Sequence, residues 1–175
     1  MKVHCLEREQ TLPVSLSEAW EFFSDSNNLD AMTPPDLGFE TSSGNHELMF
    51  QGQIIVHRIQ LAPLVSTNWV TEITHVKDRE YFIDEQRSGP YRFWHHLHRF
   101  EECEQGTKML DRVHYALPFY PFGDIALPLV RSKLNHIFDF RKTTLEDRFG
   151  SISEERPVGS VSPTTAGVLT PAQTS

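Results

Sequence analysis

The stretch "GPYRFWHHLHRF", residues 89–100, sets His95, His96 and His98 beside Trp94, with acidic segments on both sides: "FIDEQ" at 82–86 and "MLDRVHY" at 109–115. Imidazole titrates near neutral pH, shuttles protons and ligates metals. With carboxylates close by, three chemistries are open. His96 and His98, at i and i+2 on a strand, offer two ligands to an ion such as zinc, with Asp84 or Asp111 as a third. A His–Asp pair in a dry cavity can move protons as a cyclisation or dehydration requires, with Tyr115 polarising a carbonyl. Alternatively, these groups satisfy one another and orient the polar end of a bound molecule. HExxH is missing and no cysteine accompanies the histidines, while imidazoles bonded to carboxylates explain the same residues without an ion. No metal and no other cofactor is therefore expected.

Side-chain alternation decides which of these residues can meet. In an extended segment Trp94, His96, His98 and Phe100 share one face, and Phe93, His95, Leu97 and Arg99 the other. Phe82, Asp84 and Gln86 go together before them, and Asp111, Val113 and Tyr115 after them. If these are the inner faces, the polar groups converge in one cavity with Trp94, Phe82 and Val113 as apolar wall. The opposite face, with Phe93, His95, Leu97, Tyr81 and Ile83, is also partly apolar, so alternation leaves both assignments open.

The elements that must hold these residues read as follows. Residues 2–12 alternate as a first strand. "VSLSEAWEFF" carries a capping box between Ser15 and Glu18, with Leu16, Ala19, Trp20 and Phe23 at helical spacing. "NNLDAM" is a second short helix, stopped at Pro34-Pro35. Six strand-like segments follow near 37–43, 51–62, 66–77, 80–88, 91–103 and 107–117, split by turn residues such as "KDR", "SGP" and "EQG". In the second of these His57 shares a face with Ile55 and Ile59, either as a core histidine or as a further polar spot in the cavity wall. One long helix closes the chain: Leu127, Val130, Leu134, Ile137, Phe138, Leu145 and Phe149 form a stripe ending at Gly150. Arg141 lies on that stripe beside Phe138. A charge there needs a partner, either Asp84 or Asp111 or an acidic group on a ligand. Arg131, nearer the start of the helix, raises the same question. Phe119, Tyr120 and Phe122, in the connection before the helix, suit a lid over the cavity, a plug at its end or, if exposed, a patch for a membrane or protein partner.

Short connections imply antiparallel neighbours, and such a sheet needs one face covered. The expected fold is α+β: a seven-stranded curved antiparallel sheet wrapped on a long C-terminal helix, with two short helices after the first strand. At 175 residues one such domain is expected, over 1–150. Residues 151–175, rich in Ser, Thr and Pro without an aromatic, read as a disordered tail. A formal charge of −8 argues against a nucleic-acid partner. No apolar run suggests an integral membrane segment or signal core, and two distant cysteines without a CxxC fit a reducing, cytoplasmic compartment.

The order of elements, with "FFSDSNNLDAMTPP", "FIDEQRSGPYRFWHHLHRFE", "GTKMLDRVHYALPF" and "HIFDFRKTTLEDRFG", resembles the START/polyketide-cyclase superfamily (SRPBCC), in particular its small bacterial single-domain ligand-binding members. The resemblance covers roughly residues 2–149 and rests on several motifs in order, none decisive alone. It implies a helix-grip fold around a cavity for an apolar or amphipathic molecule, such as a lipid, isoprenoid or polyketide. Positions matching Trp94, His96, His98, Asp111 and Tyr115 recur in the family pattern, which favours the inward assignment. The implied ligand contacts are then Phe82, Asp84, Gln86, Trp94, His96, His98, Asp111, Val113, Tyr115, Phe138, Arg141 and His57. The superfamily contains carriers, receptors and cyclases, so the resemblance implies no single activity. A binder of a small hydrophobic molecule is expected, and a cyclase or dehydratase is the alternative.

Overall fold

A computed structural model describes residues 1–25, 28–43, 48–62 and 65–152; the expected tail, from 153 on, lies outside the described residues. Seven strands form one antiparallel sheet: β1 (His4–Leu12), β2 (Glu40–Ser43), β3 (Ile54–Ala62), β4 (Val65–Lys77), β5 (Tyr81–Ser88), β6 (Phe93–Cys103) and β7 (Gly106–Ala116). Their spatial order is β1-β7-β6-β5-β4-β3-β2. Strands β2 to β7 are a meander whose short connections make each one pair with the next. The exception is β1, which crosses to the far edge and pairs with β7, His4 opposite Tyr115.

Helix α1 (Leu16–Phe23) starts where Ser15 Oγ accepts the Glu18 amide at 3.2 Å, the forward half of the expected capping box. Its buried face is Ala19, Trp20, Phe22 and Phe23. Helix α2 (Asn28–Ala31) follows. The segment expected as a strand from 37 behaves differently: Pro35–Leu37 is a 3-10 turn closed by Gly38 at φ 52°, and β2 begins only at Glu40. Proline at the first turn position and glycine in the left-handed region favour the turn over extension. Gly52, at φ 88°, likewise delays β3 to Ile54.

Helix α3 (Leu127–Phe149) carries Pro128 in its first turn and ends at Gly150. Leu134, Phe138, Arg141 and Leu145 are its buried residues, so the stripe with an arginine inside it faces the sheet. The sheet curls around this helix as a half-barrel, the helix-grip arrangement.

The buried residues fall into two groups. Leu12, Trp20, Phe23, Phe82, Phe100 and Met109 pack with Leu145 at one end. Trp94, Val113, Tyr115 and Leu117 pack with Leu134 and Phe138 at the other. Along each element the same sequence of events occurs between them: Phe100 gives way to His98 and His96 before Trp94, Met109 to Asp111 before Val113, and Leu145 to Arg141 before Phe138. A layer of ionisable side chains therefore crosses the interior between two apolar ends.

Candidate functional site

The polar layer is built by register. Across β5 and β6, Asp84 lies opposite His96 and Phe82 opposite His98. Across β6 and β7, His98 lies opposite Asp111 and His96 opposite Val113. Side chains at directly opposed and diagonal positions are within reach of each other, so each histidine touches both carboxylates. His96 Nε2 is 2.8 Å from Asp111 Oδ1, and His98 Nε2 is 2.9 Å from Asp84 Oδ2. The remaining nitrogens lie near the other carboxylate, His96 Nδ1 3.3 Å from Asp84 Oδ2 and His98 Nδ1 2.9 Å from Asp111 Oδ1, the latter without a hydrogen bond. The two imidazoles are in contact, tilted by 38° with centroids 3.7 Å apart. Phe82 stacks on His98 at 4.1 Å.

Neighbours hold this square in place. The Trp94 indole Nε1 donates to Asp84 Oδ1 at 3.1 Å, and the Arg141 guanidinium donates to Asp111 Oδ1 at 3.1 Å. Of the partners open to Arg141 an internal carboxylate is realised, and it is Asp111. Arg141 also lies over the Phe138 ring at 5.0 Å. Arg131, by contrast, is exposed.

Burial alone would raise both carboxyl groups. For Asp84 the His96 and His98 imidazoles outweigh it, and for Asp111 the Arg141 guanidinium and both imidazoles do, so both are held well below the usual carboxylate range. Burial likewise acts to lower His96, but Asp84 and Asp111 prevail and raise it.

Above it, between sheet and α3, is a cavity of about 500 Å³. Phe82, Asp84, Trp94, His96, His98 and Arg141 contribute to its lining, as do Phe138 and His57. The rest is chiefly apolar. The other residues expected there sit elsewhere. Asp111, Val113 and Tyr115 are buried on the inner face of β7 but beneath the lining, covered by their neighbours. Gln86 turns away: its side chain donates to the Tyr91 carbonyl at 2.7 Å and accepts the Tyr91 amide at 3.2 Å, bracing the β5–β6 turn.

That brace sets Tyr91 against Trp94, with ring centroids 4.8 Å apart, and Trp69 of β4 meets Trp94 edge-on at 4.9 Å. Sequence reasoning reaches Trp94 in this aromatic corner of the lining but not Trp69 or Tyr91. Trp69 shares a strand face with Thr71 and Ile73, a signal that was available; Tyr91 sits in a turn, where alternation gives none. His57 lines the opposite wall, stacked on Phe39 at 4.7 Å and 3.1 Å from Thr41 Oγ1. Burial, only partly offset by the Asp30 and Asp84 carboxylates, pulls it down to about 4. Phe119 also reaches the lining while remaining largely exposed; Phe122 and Ile125 nearby are exposed too.

No family model matches the chain and no curated protein matches it in sequence. Solved structures do share its fold. A protein of Chromobacterium violaceum is 11% identical, with 85% of this chain and 99% of that one covered and a TM-score of 0.63. Ara h 8.0201 is 16% identical over 83% of this chain and 99% of that one, TM-score 0.55. A nucleoside-diphosphate sugar epimerase of Corynebacterium glutamicum is 18% identical over 81% of this chain but only 28% of its own, TM-score 0.59. The chain has the helix-grip fold. Among the described residues no helix is long and apolar enough to cross a membrane.

Proposed function

We propose that this protein is a member of the START/polyketide-cyclase superfamily and binds a small hydrophobic or amphipathic molecule inside the half-barrel. The observation that carries this reading is the cavity of about 500 Å³ with a cluster of polar groups in a chiefly apolar lining. Ligand sites commonly have this make-up, with apolar walls contributing affinity and a few fixed polar groups setting orientation. The cavity-lining edges of Asp84, His96 and His98 are the polar end, and the Trp69–Tyr91–Trp94 corner is an aromatic surface for a ring or chain. Extraction of protein purified from its native source, with mass spectrometry of the extract, tests this. A stoichiometric apolar compound, displaced by an apolar fluorescent probe, is the expected result. Failure of any apolar probe to bind, together with quenching-resistant Trp69 and Trp94 fluorescence, sinks the reading.

A second reading, a cyclase or dehydratase, is favoured by the paired histidines and carboxylates at the same patch. Tyr115, the expected carbonyl-polarising group, is buried on the inner face of β7 and is not among the residues that line the cavity. Exchange of His98 for Gln separates the two: an enzyme loses turnover on a polyketide-like substrate while probe affinity stays within a few-fold.

A further inference from the structure

We propose that Asp84, His96 and His98 form the protein side of a site for one divalent transition-metal ion, with its open position facing the cavity. The inference shares its location with the proposed ligand site but does not need that ligand to exist.

Three observations carry it. One donor atom from each of the three side chains falls within 4.8 Å of the others. The inner nitrogens, His96 Nδ1 and His98 Nε2, lie 3.3 and 2.9 Å from Asp84 Oδ2. Ligands about 2.0–2.1 Å from a tetrahedral ion lie roughly 3.4 Å apart, so small side-chain rotations open the triangle enough for an ion. Next, the outer nitrogen of each histidine rests against one carboxylate, Asp111, at 2.8 and 2.9 Å. Metal-bound imidazoles commonly hold a carboxylate on the other ring nitrogen, which fixes orientation and raises ligand basicity. Here Asp111 hydrogen-bonds the His96 ring, lies 2.9 Å from His98 Nδ1 without a hydrogen bond, and is itself held by Arg141. Finally, Trp94 occupies Asp84 Oδ1 and leaves Oδ2 turned toward the histidines.

Charge and donor type name the ion. Two imidazoles and one carboxylate suit zinc, cobalt or ferrous iron over magnesium or calcium, which prefer oxygen. Asp111 and Arg141 cancel, so a divalent ion on Asp84 leaves the site one unit positive. Its remaining positions would take water or an oxygen of an anionic or carbonyl-bearing molecule in the cavity.

The test uses chelator-treated, tag-free full chain titrated with Co²⁺, with Zn²⁺ and Mg²⁺ as competitors. The expected result is one Co²⁺ per chain with visible bands of a low-coordinate N/O site and no thiolate charge transfer. Zn²⁺ should displace it and Mg²⁺ should not. His96→Gln with His98→Gln should abolish that binding, and Asp111→Asn should weaken it about 10- to 100-fold. In wild-type protein the Trp94 indole N–H resonance should shift on adding Zn²⁺ while that of Trp20 stays; this readout does not depend on the variants folding. An unmoved Trp94 signal, undiminished binding in the double variant, or displacement by Mg²⁺ overturns the proposal. An apolar probe added to the metal-free protein reports on the cavity reading separately: probe binding without metal binding removes only the ion.

Discussion

At the scale of single residues, the interior charges are a liability unless all are present. Asp111 is the hub, touching both histidines and Arg141. Asp111→Ala leaves a guanidinium buried without its carboxylate, which costs about 3–5 kcal/mol; urea unfolding should show that loss. Adding Arg141→Met should recover most of it, because the uncompensated charge goes too. His57 gives a pH signature of its own. Its folded value, about 4, lies below the ordinary 6.5, so between those values the unfolded chain takes up a proton that the folded one refuses. Stability should therefore fall as pH drops from about 6.5 toward 4, by roughly 2–3 kcal/mol at the low end from this residue. His57→Phe should remove that slope when unfolding is compared at pH 5 and pH 7. The groups facing His57 are the Asp30 and Asp84 carboxylates and the Thr41 hydroxyl. Alternation together with the family resemblance points to the inner face of β6, and so to His96 and His98. It does not separate side chains that line the cavity from those one layer deeper, such as Asp111 and Tyr115. Depth depends on curvature and on what α3 covers, and neither has a period in the sequence.

At the scale of elements, α3 is the wall opposite the sheet, and its grip rests on few side chains. Leu134→Ala should cost about 2–5 kcal/mol by cavity formation, measured by thermal or denaturant unfolding. The turn between β6 and β7 is equally exacting. Gly106 sits at φ 129°, and a Cβ there would fall 2.2 Å from the Leu12 carbonyl oxygen at the end of β1. Gly106→Ala should destabilise the protein by more than about 1 kcal/mol, with faster amide exchange in β1 and β7 ahead of other strands. "EQG" is readable as a turn from its residues; its closeness to β1 is not, since that contact joins segments about ninety residues apart. Strand starts depart from the alternation for a local reason. Proline and glycine at 34–38 and 52 impose backbone conformations that override the apolar pattern beside them.

At the scale of the whole molecule, the connection from β7 to α3 borders the cavity and exposes Phe119, Phe122 and Ile125. Phe119 holds a left-handed backbone, φ 58°, which bulky residues rarely adopt. Phe119→Gly relieves that strain while loosening the unfolded chain, so stability should stay within about 1 kcal/mol of wild type. If the ring acts as a lid, an apolar probe should leave the cavity several-fold faster in stopped-flow exchange. The two ends of the sheet hold a different lesson. β1 is made first, yet its partner β7 is completed only at residue 116. At roughly 5–20 residues per second, translation leaves that strand alone for about 5–20 s. During that interval its backbone amides and carbonyls are open to any passing strand. Expression yield should thus depend on how well the nascent chain is shielded on the ribosome, a demand set by topology before any cavity exists.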